Sequence, residues 1–218
     1  MELKLAVFDW NGTTIDDLPL VYGSVKEIFR IYGIPAPPLE SYREEITADF
    51  MKFYENHGLT GATKEDLNAI RKRYLAEHGH AAKLHPVAKE LIELCKRIGL
   101  QTAIVSAEIA DVLDKRVTEF GLFPFIDRIT GGAYDKPAAL IETLDFFGVA
   151  AENAFYLDDT FDGLMAAKSV GLNTIGFCNG YNSRKRIMYA EPDFPNADFP
   201  EVLTHADVRD IILRGGAL

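Results

Sequence analysis

Residues 3–16 of the 218-residue chain read LKLAVFDWNGTTID, and this stretch decides the fold. Its apolar first half, residues 3–8, has the length and composition of a buried β-strand. Asp9 follows the strand directly, and Gly12 permits a sharp turn three residues later. Open α/β sheets place their ligand and reaction sites at the carboxyl ends of buried strands. The stretch therefore predicts a parallel sheet with Asp9 at its functional edge.

Helices alone are predicted for the segment that follows this turn. Apolar residues recur there at helical spacing, and glycines or a proline-rich break separate the periodic runs. We expect three helices, at residues 19–32, 39–57 and 63–78. An acidic first turn after Thr63 marks the start of the third helix.

From residue 85 onward, predicted strands and helices alternate. The strands are expected at residues 102–105, 126–130, 154–157, 173–177 and near 197–199, and the helices at residues 86–97, 109–120, 137–147, 162–170 and 207–213. Such alternation is typical of a parallel sheet that helices cover on both faces. We therefore predict an α/β core domain made of residues 1–17 and 85–218. A helical cap domain, residues 18–84, is inserted after the first strand.

Composition and charge limit the classes of partner. Hydrophobic residues make up 48% of the chain and charged residues 26%, which is typical of a globular protein. The formal net charge of -10 argues against nucleic acid and membrane surfaces as partners. Cys95 and Cys178 lie in no paired or metal-type spacing, as expected for reduced thiols. No leader or long apolar segment is recognised. We expect a cytoplasmic protein that is a monomer or a homodimer.

Four of the predicted strands end in side chains that carry chemistry. Asp9 ends the first strand, Ser106 ends the second, and Lys136 opens the helix after the third. Asp158 and Asp159 end the fourth. Because parallel strands bring their carboxyl ends to one edge, we expect these side chains to share a crevice. Together they offer three carboxylates, a hydroxyl and an ammonium at one edge of the sheet.

The stretch FDWNGTTID at residues 8–16 closely resembles the first motif of the haloacid dehalogenase (HAD) superfamily, which usually reads D-x-D-G-T. The serine, the lysine and the acidic pair follow in the order of that family's second, third and fourth motifs. The resemblance therefore covers nearly the whole chain, and it implies a Rossmann-like core. It also implies magnesium-dependent hydrolysis of a small phosphomonoester, a phosphorylated metabolite, through an aspartyl phosphate on Asp9.

The same resemblance implies roles for the other site residues. The Mg²⁺ ligands that it implies are the Asp9 side chain, the Asn11 backbone carbonyl and Asp159, with Asp158 or Asp162 in the outer position. Lys136 would offset the charge between Asp9 and the phosphate, and Ser106 would donate a hydrogen bond to a phosphoryl oxygen. Thr13 would fasten the turn and complete the substrate-binding set with Ser106 and Lys136.

Asn11 departs from the family pattern, because phosphatases of this family carry their acid/base Asp at this position. General acid–base assistance is typically worth about 10²–10⁴-fold in rate, and an amide does not provide it near pH 7. Three readings stay open: a slow phosphatase, another proton source, or a substrate with a good leaving group. We expect Asn11→Asp to raise the turnover of alkyl phosphates.

The fourth motif departs as well. When it is aligned on residues 166–168, Gly163 stands where the family's last acid is expected, and Asp162 lies one residue earlier. Asp158 replaces the usual glycine of that motif. The outer metal ligand is therefore left open between Asp158 and Asp162.

Two alternatives to a phosphatase remain. Phosphonoacetaldehyde hydrolases of the same superfamily read D-W-A-G-T-T at the first motif and use a cap lysine, for which Lys52 is the candidate. A degenerate, non-catalytic HAD binding module is the other alternative. The loop at residues 177–183 resembles that of phosphoglycolate phosphatase-like members, and we therefore rank the phosphatase first.

Basic residues are candidates for substrate choice. The four in the cap, which we interpret as solvated charges, are Arg43, Arg71, Lys72 and Arg73. A second basic run, residues 184–186, follows the last core strand, where it would steer an anionic substrate.

Overall fold

The computed structural model describes residues 3–78, 82–178 and 180–193, and a five-stranded parallel sheet lies at its centre. The strands in these ranges are β1 (Leu5–Phe8), β2 (Ile15–Asp16), β3 (Lys83–Leu84), β4 (Gln101–Val105), β5 (Arg128–Thr130), β6 (Ala154–Asp158) and β7 (Asn173–Gly176). The large sheet has the order β5-β4-β1-β6-β7, with every pairing parallel. The predicted Rossmann-like α/β class is confirmed.

The helices occupy nearly all of the segments that were predicted for them. Their bounds are α1 (Leu18–Ile31), α2 (Leu39–Glu45), α3 (Met51–Asn56), α4 (Lys64–His78), α5 (Pro86–Arg97), α6 (Ala110–Glu119), α7 (Lys136–Phe147), α8 (Phe161–Ser169) and α9 (Arg184–Met188). The short helix α9 and the antiparallel pair β2–β3 were not predicted. The strand and helix expected at residues 197–199 and 207–213 lie outside the described residues.

Strand β1 is buried on both faces, which explains its continuous apolar sequence. Ala6 and Phe8 face a core formed with side chains of α5 and α6. Leu5 and Val7 face the opposite core, formed with side chains of α7 and α8. Since β4 and β6 pair with β1 on its two edges, the residue after β1 emerges in the middle of the sheet's carboxyl edge. Asp9 is that residue.

The single helix predicted for residues 39–57 is wrong, because the structure has two helices there. Ile46 is extended and ends α2, and α3 begins at Met51. Backbone groups of the break bond to the core instead of to a helix. The Ala48 N–H donates to Asp162 at 2.7 Å, and the Asn182 amide donates to the Ile46 carbonyl at 3.3 Å. Partners distant in sequence therefore replace the hydrogen bonds that a continuous helix would make.

Helices α1 to α4 form an apolar cluster of their own, separate from the two clusters that flank the sheet. Its largest members include Phe29, Tyr42, Phe53 and Leu67, each at most 4% exposed. This agrees with an inserted helical cap. The domain limits at residues 17/18 and 84/85 stay a prediction. No helix within the described ranges is both long enough and apolar enough to span a bilayer.

The buried sheet generates a test of stability. Ile104 in β4 is fully buried, and truncating it to alanine removes apolar contacts and leaves a cavity. We expect Ile104→Ala to lower the free energy of unfolding by about 2–5 kcal/mol, measured by urea denaturation. Ile141 on α7 is 47% exposed and provides the matched control. Equal losses in Ile104→Ala and Ile141→Ala would contradict the placement of β4 in the core.

Candidate active site

Asp9 is fixed at the sheet edge by its backbone and by its side chain. Its N–H donates to the Leu157 carbonyl at 2.9 Å, which extends the pairing of β1 with β6 by one residue. Its Oδ1 accepts from Lys136 Nζ at 2.6 Å and from the Tyr156 hydroxyl at 3.3 Å. The Thr14 hydroxyl donates to the Asp9 carbonyl at 2.6 Å and so links the two ends of the turn.

Asp9, Asp158 and Asp159 converge, as expected from the strand ends. One oxygen of each carboxylate lies within 4.8 Å of the other two, and all three residues are buried. Burial, reinforced by the charge of Asp9, raises the pKa of Asp158 to about 6. Burial and the charges of Asp158 and Asp9 raise the pKa of Asp159 well above its usual range. Burial and the close approach of the three carboxylates therefore disfavour their full ionisation.

Lys136 is the cation at this cluster. Burial by itself lowers the pKa of its ammonium, but the charges of Asp9 and Asp158 outweigh this effect and raise the pKa. Besides Asp9 Oδ1, its Nζ also donates to the Val105 carbonyl at 3.1 Å. These two bonds hold the ammonium between the ends of β1 and β4, on the side of the nucleophile candidate.

Two glycines allow the chain to pass close to Asp159. A Cβ at Gly12 would lie 2.2 Å from Asp159 Oδ2, and a Cβ at Gly180 would lie 2.1 Å from the same atom. Thr13 Oγ1 donates to Asp159 Oδ1 at 2.8 Å, and the Tyr181 N–H donates to Oδ2 at 2.5 Å. Thr13 thus joins the first turn to the end of β6. This hydrogen bond agrees with the predicted role of Thr13 in fastening the turn, and its substrate-binding role stays a prediction.

The departure at Gly163 has a steric explanation. A Cβ at this position would lie 2.0 Å from Asp158 Oδ2, so the Asp158 carboxylate fills the space that a side chain at position 163 would need. Thr160 holds that carboxylate through its N–H and its hydroxyl, both at 2.7 Å. Asp162 points elsewhere, since it accepts the Ala48 N–H. Within the described chain, Asp158 and not Asp162 is the second acid of the cluster.

Comparison with known proteins now identifies the family. The family model described as haloacid dehalogenase-like hydrolase matches residues 6–177. This range includes Asp9, Lys136, Asp158 and Asp159, and it ends before Gly180 and Tyr181. The chain belongs to the haloacid dehalogenase-like hydrolase family. This confirms the resemblance seen in the sequence, and it confirms the predicted hydrolase class.

Individual relatives of this haloacid dehalogenase-like hydrolase are distant but cover nearly its full length. It is 25% identical to the phosphoglycolate phosphatase of Vibrio parahaemolyticus over 217 residues, which are 93% of this chain and 95% of the relative. It is also 25% identical to the phosphoglycolate phosphatase of Pasteurella multocida, over 93% and 98% of the two chains. The fold is similar to a haloacid dehalogenase-like protein of unknown function from Agrobacterium tumefaciens, with a TM-score of 0.78 and 18% identity. That match covers 99% of this chain and 100% of the other.

Ser106 and Asn11 complete the set that the sequence placed in the site of this hydrolase. Ser106 is 1% exposed, and its hydroxyl lies 3.5 Å from Asn11 Oδ1. The Glu108 N–H donates to the same hydroxyl at 3.1 Å, so Ser106 also closes the turn before α6. The structure therefore brings Asp9, Asn11 and Ser106 to one edge, as predicted.

Sequence reasoning missed three residues of the site. Asp17 accepts hydrogen bonds from the Asn11 side chain, the Gly12 N–H and the Tyr181 hydroxyl, each at 2.9 Å. Burial raises the pKa of Asp17, although the hydrogen bonds from Asn11, Tyr181 and Gly12 oppose the effect. Tyr156 carries no functional signal in the sequence, because an aromatic residue is ordinary in an apolar strand. Asp17 carries none either, because an acid is ordinary before a helix. The glycine-bounded loop at residues 180–183 was the one available signal for Tyr181.

The basic residues do not all behave as expected. Arg43 is not a solvated charge. Its guanidinium donates to the carbonyls of Cys178, Gly180 and Asn182, at 2.6, 3.2 and 3.2 Å. In the second basic run, Lys185 pairs with Glu44 at 3.3 Å.

Three further basic side chains have different surroundings. The Arg186 guanidinium lies over the Phe161 ring, 4.7 Å from its centroid, which does not favour a steering role. Arg71 lines a pocket between α1, α2 and α4 inside the cap. Lys52 is 73% exposed and pairs with Asp49 at 3.1 Å, so its position gives no support to a Schiff-base role.

The raised pKa of Asp158 predicts a pH dependence of stability. An unfolded Asp ionises near pH 3.8, whereas the buried carboxyl keeps its proton until about pH 6. Because the folded protein binds this proton more tightly than the unfolded chain does, the raised pKa of Asp158 stabilises the fold fully below about pH 4. This stabilisation is lost as the pH rises through about 6. We expect Asp158→Asn, compared with the unchanged protein by urea denaturation in EDTA, to be relatively more stable at pH 7 than at pH 4.

The exposed residue Asp145 on α7 provides the control for this measurement. Asp145→Asn carries the same chemical change outside the cluster, and its effect should be alike at both pH values. An equal effect of Asp158→Asn at pH 4 and pH 7 would contradict the buried, crowded environment of this carboxyl.

Proposed function

We propose that this chain is a magnesium-dependent phosphatase that hydrolyses a small phosphorylated metabolite through a phosphorylated Asp9. The observation that carries the proposal is the convergence of Asp9, Asp158 and Asp159 within 4.8 Å, with Lys136 bonded to Asp9. Phosphoryl transfer needs a positioned nucleophile with positive charge beside it, and a buried carboxylate hydrogen-bonded to an ammonium supplies both. The names of the phosphoglycolate phosphatase relatives support a phosphomonoester as the substrate.

The residues present fit a magnesium ion. Three carboxylates converge, and a divalent cation would offset the burial and the mutual repulsion that raise the pKa values of Asp158 and Asp159. Oxygen is the ligand atom that Mg²⁺ prefers. Asp9, the Asn11 carbonyl and Asp159 would hold the ion, with Asp158 in the outer position. When bound, it would neutralise charge on the phosphoryl oxygens.

The protein's own residues divide the remaining work. Asp9 attacks phosphorus with one carboxylate oxygen, while Lys136 holds its Oδ1 and reduces the repulsion between two anions. Ser106 offers its hydroxyl to a phosphoryl oxygen. The Asn11 amide carries no proton that it can transfer near pH 7, so it binds and orients but does not act as acid or base.

Water exclusion falls to the helical cap, which we propose as a domain of residues 18–84. The apolar cluster within helices α1 to α4 supports a separate unit, and Arg43 holds it against the carbonyls of Cys178, Gly180 and Asn182. A cap closed over the strand ends would shield the aspartyl phosphate during transfer. We retain the predictions of a cytoplasmic location and of a monomer or homodimer.

Turnover of p-nitrophenyl phosphate tests this function. Its leaving group needs little protonation, so Asn11 should impair this substrate least. We expect release of p-nitrophenolate that requires Mg²⁺, stops on addition of EDTA, and is abolished in Asp9→Asn. Mass spectrometry of the acid-quenched enzyme should locate the trapped phosphoryl group on Asp9.

Asp16→Asn serves as the matched control, because Asp16 is an exposed acid in the same stretch. This variant should keep its activity. Turnover that persists in Asp9→Asn would refute the proposed nucleophile. Absence of turnover in the unchanged protein would favour the non-catalytic binding module instead.

A further inference from the structure

The side chain of Asn11 is fixed at both ends of its amide. Its Nδ2 donates to Asp17 Oδ2 at 2.9 Å, and its Oδ1 lies 3.5 Å from the Ser106 hydroxyl. An amide satisfies both neighbours because it carries a donor and an acceptor. A carboxylate at position 11 would place an acceptor against Asp17. The surroundings therefore fit an amide, which argues against a decayed acid site.

Asp17 orients the Asn11 amide and is itself buried away from solvent. Its Oδ1 accepts the Gly12 N–H, and its Oδ2 accepts both the Asn11 amide and the Tyr181 hydroxyl. It is only 4% exposed. With three donors directed at it, the Asp17 carboxylate acts as an acceptor, and it has little access to a leaving group in the crevice. It is a positioning residue for Asn11.

The other proton-bearing side chains that contact the acidic cluster are engaged as well. Lys136 and the Tyr156 hydroxyl donate to Asp9, and the Thr13 hydroxyl donates to Asp159. In the part of the chain that the structure describes, these donors are directed at carboxylates of the cluster, and the position from which the family's acid would act holds the fixed amide of Asn11.

We propose that this site acts on phosphates whose leaving oxygen departs as a stable anion, namely acyl, enol or aryl phosphates, and discriminates against alkyl phosphates. The proposal rests on the phosphatase function above and specifies its substrate class. It follows from one chemical requirement: a leaving oxygen that receives no proton from the enzyme must tolerate the negative charge on its own.

Both steps balance without an acid from the protein. In the first, an Asp9 oxygen bonds to phosphorus, and the bond to the leaving oxygen breaks with its electron pair. That oxygen departs as a carboxylate, enolate or phenolate. In the second, a water oxygen bonds to phosphorus, and the electron pair of the broken bond returns to Asp9. Both protons of the water remain on the released dihydrogen phosphate. The aspartyl phosphate is itself an acyl phosphate, so its breakdown meets the same requirement.

A leaving-group series tests the proposal directly. Phosphate release is measured with the magnesium-loaded enzyme on acetyl phosphate, p-nitrophenyl phosphate, ethyl phosphate and 2-phosphoglycolate. We expect kcat/KM for the first two to exceed that for the two alkyl phosphates by about 100-fold or more, the lower end of what general acid catalysis supplies. Lys52→Ala, which alters an exposed cap residue, should leave the ratio unchanged.

An exchange of charge between positions 11 and 17 sharpens the test. In the double variant Asn11→Asp/Asp17→Asn, the oxygen of the new amide can accept the Gly12 N–H. Its NH₂ group can donate to the new carboxylate and to the oxygen of the Tyr181 hydroxyl, which then accepts instead of donating, and a carboxyl group faces the site. We expect the ratio of kcat/KM for acetyl phosphate to kcat/KM for ethyl phosphate to fall at least 10-fold, through faster hydrolysis of the alkyl phosphate. Asn11→Asp alone should give a smaller gain than the double variant, because it sets two carboxylates in contact.

The outcomes separate the two proposals. Alkyl phosphates hydrolysed within about 10-fold of acetyl phosphate by the unchanged enzyme would overturn the substrate class and leave the phosphatase function intact. No release from any of the four substrates would overturn the phosphatase function, and the substrate class with it. If the double variant fails to fold, the series on the unchanged enzyme still decides.

Discussion

The rest of the site depends on three carboxylates that the fold holds within 4.8 Å of one another, below the protein surface. Such a group is stable only where opposite charge and hydrogen bonds offset the repulsion. Lys136 supplies one positive charge, and donors from Thr13, Thr160 and Tyr181 supply hydrogen bonds. The glycines that pack against the cluster, and its fit to a divalent cation, follow from the same constraint.

The sequence predicted most of the fold because local signals and global architecture agree. The apolar run of β1, the alternation after residue 85 and the glycine stops all point to one sheet. The prediction failed where distant groups decide, as at residues 46–50, where Asp162 and Asn182 take over backbone hydrogen bonds. Asp17 and Tyr156 were missed for a related reason. A spacing pattern describes which face a residue occupies, but not which side chain from another element meets it there.

The two departures from the family motifs have matching explanations. Asp158 fills the space beside Gly163, so the acid that the motif lacks at one position stands at another. Asn11 is held by the carboxylate of Asp17, so the charge absent from position 11 lies one contact away. In both places a carboxylate lies close to the position at which the family motif carries an acid. Residue-by-residue comparison of motifs detects the absent acid and does not show the neighbouring one.

The contact of Arg43 with the loop after β7 has a mechanical consequence. Its guanidinium holds the carbonyls of Cys178, Gly180 and Asn182, and the same loop donates the Tyr181 N–H to Asp159. A cap that swings away must break the first set of bonds, and the loop then loses the support that keeps Tyr181 in place. If the cap opens for product release, the same movement would therefore loosen the loop that supports Asp159.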